Sequence, residues 1–205
     1  MGFTETFLRI IQDQCFERYA GKKVILMAGT RFKTTKDIYR RFRELWQNIE
    51  YNIREEGSDE MTLHNGCQIM ALPASPEAIT GLTKIGGILL DESAKWRLVD
   101  DTEVMNAVMP IVRTNRADCF MISTPKGPRG FFYHTEMDQN DFHKKKYDIH
   151  QAEGYLYTKA EIQEMLNSSV EDPNQEYLNQ YVAGRSSIFG AVTEDMREDY
   201  LEEEY

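Results

Sequence analysis

The chain has 205 residues, enough for one domain with a real core, and its 41% hydrophobic and 28% charged residues are those of an ordinary globular fold. A net charge of −10 argues against a wholly basic nucleic-acid binder, and no apolar run approaches the roughly 18 residues needed to cross a bilayer. Three cysteines, Cys15, Cys67 and Cys119, are odd in number and lie in apolar patterns, which reads as reduced core thiols in a cytoplasmic protein.

Taken in chain order, residues 4–21 repeat apolar side chains at helical spacing (Phe7, Leu8, Ile11, Cys15, Phe16, Tyr19), with Thr4 or Thr6 as cap and Gly21 as stop. A strand "KVILMAGT" follows, then a second helix over 34–52 with Ile38, Phe42, Leu45 and Ile49 on one face. "GCQIMALPA" reads as a strand and "SPEAITGLTKI" as a loop, before the strand "GGILLDES". A helix over 101–114, with Pro110 as a possible kink, precedes the strand "DCFMISTPKGPRG" and its Pro/Gly turn. "KKKYDIH" reads as a further strand, and 159–168 and 173–183 as helices. Strands alternating with helices predict an α/β fold with a mostly parallel sheet flanked by helices.

Charge is uneven. Residues 31–43, "RFKTTKDIYRRFR", are strongly basic, and the final "EDMREDYLEEEY" is strongly acidic. Arg31, Lys33, Lys36 and Arg40 are candidate contacts to DNA phosphates; the competing account is the solvated face of an amphipathic helix. Lys144–Lys146 are weaker candidates of the same kind, and His143 and His150 read as surface histidines rather than metal ligands.

Chemistry concentrates where the strands end. In open α/β sheets the active crevice lies at the carboxyl ends of the strands. Thr30, the pair Asp91–Glu92 and the pair Ser123–Thr124 all fall at that edge. Four apolar residues running into Asp-Glu resemble the Walker B element of phosphate-loop ATPases. There the Asp holds Mg²⁺ through its water shell and the Glu can orient or deprotonate the attacking water. A hydroxyl pair on the next strand can hydrogen-bond that site and report phosphate loss.

"NGCQIMALPASPEAITGLT", "GGILLDESAKW", "MISTPKGPRGFFY" and "NQEYLNQYVAG" occur in the order seen in the ATPase domain of large terminase subunits, and the chain resembles that family over roughly residues 4–195. These motors pump double-stranded viral DNA into preformed capsids. The resemblance implies a P-loop NTPase-like fold of the ASCE class, with ATP and Mg²⁺ as cofactors. Asp91 would be the Mg²⁺-associated acid, Glu92 the catalytic glutamate, and Ser123, Thr124 and Pro125 the coupling motif. It implies double-stranded DNA, a portal, a small terminase subunit and a homo-oligomeric ring as partners, no membrane, and the host cytoplasm as location.

The pattern breaks at the phosphate loop. Gly2-Phe3-Thr4 stands where Gly-Lys-Thr would close a Walker A motif, so Thr4 is the candidate cofactor-binding hydroxyl and Phe3 replaces the lysine. The strand preceding that loop is also expected to be missing, leaving a gap between the remaining strands with unpaired backbone groups. Thr80-Gly81 replaces the usual Arg-Gly of an arginine finger; Arg97, Arg113, Arg116 and Arg129 are possible substitutes. Residues 1–190 are expected to form the incomplete ATPase domain and 191–205 an acidic tail, or the start of a linker to a nuclease domain. The expectation is a truncated, split or interrupted motor. The alternatives are a non-catalytic relic or interaction module of the same fold, and a helicase-like DNA translocase.

Overall fold

A computed structural model describes residues 3–96, 100–168 and 172–182. Helix α1 (Phe3–Phe16) leads into β1 (Lys23–Met27), α2 (Phe32–Glu44), the hairpin of β2 (Ile53–Glu56) and β3 (Glu60–Leu63), and β4 (Gln68–Ala71). The one-turn helix α3 (Pro76–Ile79), β5 (Ile85–Asp91), α4 (Asp101–Asn115) and β6 (Asp118–Ile122) follow. Helices α5 (Gly130–Met137), α6 (Lys159–Leu166) and α7 (Pro173–Glu176) lie beyond them.

Among the described residues six strands form one sheet in the order β2-β3-β4-β1-β5-β6. β4, β1, β5 and β6 are mutually parallel, and the β2–β3 hairpin adds an antiparallel flank. The expected α/β class, mostly parallel and flanked by helices, is what the chain adopts. β5 is buried at every position from Ile85 to Asp91, which is why it reads as an unbroken apolar run rather than an alternating one.

Side chains alternate across the sheet and feed two cores. Val24, Leu26 and Leu89 face α1 and α2, meeting Leu8, Ile11, Cys15, Ile38, Phe42 and Trp46. Ile25, Met27, Ile88 and Leu90 face α3 and α4, meeting Ile79, Val104, Met105 and Val108. Each fully buried aliphatic side chain contributes roughly 1.5–3 kcal/mol, so the two layers hold the strand tips rigidly.

Several local expectations need correction. α1 ends at Phe16 rather than at residue 21, and α2 ends at Glu44, after which the chain turns so that Ile53 can enter β2. The β2–β3 hairpin was not expected from sequence, because its acidic residues hide the alternation of buried Met61 and Leu63. α3 forms inside the expected loop because Ser75 Oγ accepts from the Ala78 amide. α4 runs through Pro110 as a helix. "KKKYDIH" is not a strand: residues 143–148 join no ladder, and Ile149–Ala152 form a short 3-10 turn. No gap opens between the described strands either, since β6 lies directly against β5 and the open backbone edges are the outer sides of β2 and β6. The boundary expected near 184–190 and the acidic stretch 191–205 lie outside the described residues.

At the amino end of the sheet the chain between α1 and β1 is pinned by Tyr19. Its hydroxyl donates to Asp118 Oδ2 at 2.7 Å, and Arg18 Nη2 donates to Asp118 Oδ1 at 2.6 Å. The buried ring lies over Gly86 and Gly87, where the β1–β5 register shifts. A Cβ on Gly87 would stand 2.9 Å from the Tyr19 ring carbon Cζ and its hydroxyl oxygen. Gly87→Ala is therefore expected to destabilise the fold by roughly 2–3 kcal/mol, lowering Tm by roughly 4–12 °C in a thermal melt. An unchanged Tm would show that the ring yields without cost.

Candidate functional site

β5 delivers Asp91 to the carboxyl edge of the sheet, where the carboxylate is buried at 4% exposure. Thr4, in the first turn of α1, donates its hydroxyl to Asp91 Oδ1 at 2.8 Å. The Trp96 indole donates to the Asp91 carbonyl at 3.1 Å and closes the other side. Burial pushes the Asp91 carboxyl above its usual range; the Thr4 hydroxyl, the Arg41 guanidinium and the Glu92 amide pull it back without cancelling the effect. A buried carboxylate with one hydroxyl donor carries charge that it does not dissipate alone, and it suits an oxygen-seeking cation.

Glu92 follows in the left-handed region, at φ 52° and ψ 34°. That conformation costs a non-glycine residue about 1 kcal/mol or more, and such strain is concentrated at functional positions. It turns the chain sharply into the 3-10 turn Ser93–Lys95, with the Lys95 amide donating to the Glu92 carbonyl at 2.8 Å. The Glu92 side chain keeps an exposed edge, yet enough protein surrounds it to raise its carboxyl. Lys95 opposes that rise and Asp91 adds to it. Lys95 Nζ itself is held by both oxygens of Glu176, at 2.8 and 2.9 Å.

β6 ends one strand over. Ser123 Oγ accepts from the Ala94 amide at 3.2 Å and donates to the Thr124 carbonyl at 2.8 Å, so the "STP" strand tip is bonded directly to the turn after Glu92. Pro125 is buried, and Thr124 Oγ1 is buried with no hydrogen-bond partner. A cavity of about 420 Å³ opens here, bounded by Phe3 and Thr4 of α1, by Glu92 and by Ser123–Thr124. A smaller one of about 180 Å³ lies on the other flank of Glu92, beside Thr30, Arg31 and Trp96. Thus Thr4, Asp91, Glu92, Ser123 and Thr124, from three separate stretches of sequence, share one edge, with Thr30 close by.

The other sequence candidates fall less neatly. Arg31 and Lys33 are exposed at the start of α2; Arg40 is exposed but pairs with Asp37, and Lys36 is exposed in the same turn. Part of the basic run is consumed locally, since Arg41 binds Glu5 and Arg43 binds Glu50 and Glu56. Arg113 and Arg116 sit at the far end of α4, where the chain enters the amino end of β6, away from Asp91. Arg129 precedes α5 and is exposed; Gly2 and Arg97 lie outside the described residues. Thr80 caps the end of α3, its hydroxyl donating to the Pro76 carbonyl. Sequence reasoning missed the parts played by Arg41, Lys95 and Glu176. Lys95 had a readable signal in its place three residues after Glu92, but its Glu176 partner is 81 positions away.

The ATPase domain of the large terminase of Thermus phage P74-26 superposes with a TM-score of 0.63 at 17% identity, over 88% of this chain and 84% of that one. A point mutant of the same domain gives 0.63 at 16%, over 88% and 85%. The chain has the terminase ATPase fold. No protein-family model matches it, and no curated protein sequence does. The likeness therefore lies in the sheet order and the placement of helices, with little of it carried by residue identity.

Burial of Asp91 has a thermodynamic signature. A carboxyl whose pKa is raised on folding stabilises the folded state while protonated, below its ordinary 3.8, and that contribution is lost as pH rises through the raised value. Asp91→Asn keeps an acceptor for Thr4 and removes the buried charge. It is expected to match the parent near pH 4 and to exceed it at pH 7–8 by on the order of 1 kcal/mol, ~2–4 °C in Tm. Chemical denaturation across that pH range checks this, and a variant less stable at pH 8 would contradict it.

Proposed function

We propose that this chain is the ATPase domain of a phage or viral DNA-packaging motor that binds Mg-ATP at the carboxyl edge of its sheet. The single observation that carries the reading is the 2.8 Å contact between Thr4 and Asp91 at the mouth of the cavity. It joins the first turn of a 14-residue helix to a buried carboxylate, which is what a nucleotide's phosphates and their cation require of a protein. The phosphates would lie against the first-turn amides of α1. Mg²⁺ would be held by the Thr4 hydroxyl and, through water, by Asp91, and it supplies charge neutralisation at the transferring phosphate.

The remaining chemistry belongs to the chain's own residues. Glu92, one residue past Asp91 and facing the same cavity, accepts a proton from the attacking water or orients it. Its raised pKa strengthens it as a base. Ser123 couples the site to β6, because its hydroxyl holds the turn that carries Glu92; a shift of Glu92 on phosphate release pulls on the "STP" tip. Thr124 and Pro125 complete that coupling element. DNA would run against the exposed cations Arg31, Lys33, Lys36 and Arg40, with a portal, a small terminase subunit and a ring of further copies as partners in the host cytoplasm. Residues 1–190 form the motor domain in this reading, and 191–205 a tail or linker.

Phe3 favours a second reading. It occupies the place from which a lysine would counter phosphate charge, and Lys95, the cation beside Glu92, is committed to Glu176. A site of this shape can bind nucleotide weakly without turning it over. Titration calorimetry separates the two readings. Measurable Mg-ATP binding is expected, weakened about tenfold (~1.4 kcal/mol) by Thr4→Val and lost in Asp91→Ala. Glu92→Gln is expected to retain binding and to abolish any hydrolysis; wild-type turnover in that variant would remove Glu92 from its role. No binding at millimolar nucleotide would leave the non-catalytic reading standing.

A further inference from the structure

We propose that Glu176 is a positioning residue for Glu92: it holds the Lys95 ammonium away from the Glu92 carboxylate, which is thereby left open to the cavity. Lys95 stands three residues after Glu92, at the end of the turn Ser93–Lys95, and its amide donates to the Glu92 carbonyl at 2.8 Å. Both side chains border the cavity of about 180 Å³ beside Thr30 and Arg31. The ammonium acts on Glu92 from a distance, and it opposes the rise of that carboxyl more than any other charged group does. In a helical turn, opposite charges three residues apart ordinarily pair. Here they do not: among the described residues no hydrogen bond or ion pair engages the Glu92 carboxylate.

Glu176 takes the ammonium instead. Both of its carboxylate oxygens accept from Lys95 Nζ, at 2.8 and 2.9 Å, with the two side chains only 31% and 26% exposed. That contact uses two of the three ammonium donors in charge-assisted hydrogen bonds, the strong kind. Glu176 is itself fixed in place. α7 begins after Asp172, whose side chain accepts from the Asn174 and Gln175 amides, and Pro173 presets its first turn. Next to it, the Ile149 amide donates to the Tyr177 carbonyl at 2.9 Å, and Asn179 Nδ2 donates to the Tyr147 carbonyl at 3.1 Å. Both glutamates line the cavity of about 420 Å³. The ammonium therefore has two carboxylates to choose from, and it is committed to the one 81 positions away rather than the one three away.

The choice matters because a carboxylate paired with a lysine has its lone pairs occupied by ammonium hydrogens and is a poor acceptor for a proton from water. Glu176 thus acts on Glu92 through Lys95, without touching the reacting atoms. A plain strut between α7 and the turn after Glu92 would use the same two side chains, but the two roles diverge when both partners are removed. A strut is then lost altogether, whereas Glu92 freed of Lys95 no longer needs Glu176. That Glu92 receives a proton from water rests on the nucleotide reading above; that Glu176 keeps Lys95 off Glu92 does not.

The test is carried out on the full chain. A water-soluble carbodiimide joins a carboxylate to an amine in contact with it through an amide bond, and peptide mass spectrometry locates the link. In the parent, Lys95 is expected to link to Glu176. In Glu176→Gln it is expected to link to Glu92, a loss of one water within a single peptide that the parent does not show. Mg-ATP hydrolysis is read in parallel: kcat is expected to fall about tenfold or more in Glu176→Gln and to return to within about threefold of the parent in the double variant Lys95→Met/Glu176→Gln. Lys95→Met alone is expected to stay near the parent, since it too leaves Glu92 unpaired. A link from Lys95 to Glu92 in the parent, or to neither side chain in Glu176→Gln, overturns the proposal. So does a double variant as slow as the single, or a Glu176→Gln chain that does not fold, either of which makes the pair a strut. No hydrolysis by the parent removes the nucleotide reading alone, and the cross-link still decides where Lys95 goes.

Discussion

The buried carboxylate of Asp91 is the constraint around which this molecule is organised. A carboxylate at the tip of a fully apolar strand is costly, and here it is tolerated because α1 brings a hydroxyl to within 2.8 Å and α2 brings the field of Arg41. Neither helix is free to shift along the sheet without exposing that charge to a poorer environment. The carboxylate is thus a structural clamp whose charge is only partly compensated by the groups around it.

The opposite end of α1 is fixed by different means. Tyr19 fills the space left by two glycines in β5 and reaches Asp118, so the chain leaving α1 is anchored to the amino ends of β5 and β6 while its first turn is anchored to their carboxyl edge. The same glycines that look, in sequence, like a flexible prelude to the acidic pair act as a rigid seat. A strand gripped at both ends in this way presents Glu92 in a strained backbone conformation without the strain relaxing back into β5. Ser123 then ties the strained turn to the neighbouring strand tip, so displacement of one is felt by the other.

How much of this could be read in advance differs by element. The apolar runs of β1, β5 and β6 were legible because strands covered on both faces have no alternation to confuse, and the polar tips Asp91–Glu92 and Ser123–Thr124 stood out against them. Thr4 was legible only as an alignment with a phosphate-loop threonine; its pairing with Asp91 was not, because it depends on α1 and β5 meeting 87 positions apart. The β2–β3 hairpin was hidden by its acidic surface, which serves edge protection rather than core formation. The run "KKKYDIH" misled for the opposite reason: its local pattern suits a strand, but strand formation needs a neighbour with free backbone groups, and no described strand stands beside it. Glu176 was invisible, although Lys95 stands three residues after Glu92, because an ion pair spanning 81 positions leaves no local signature.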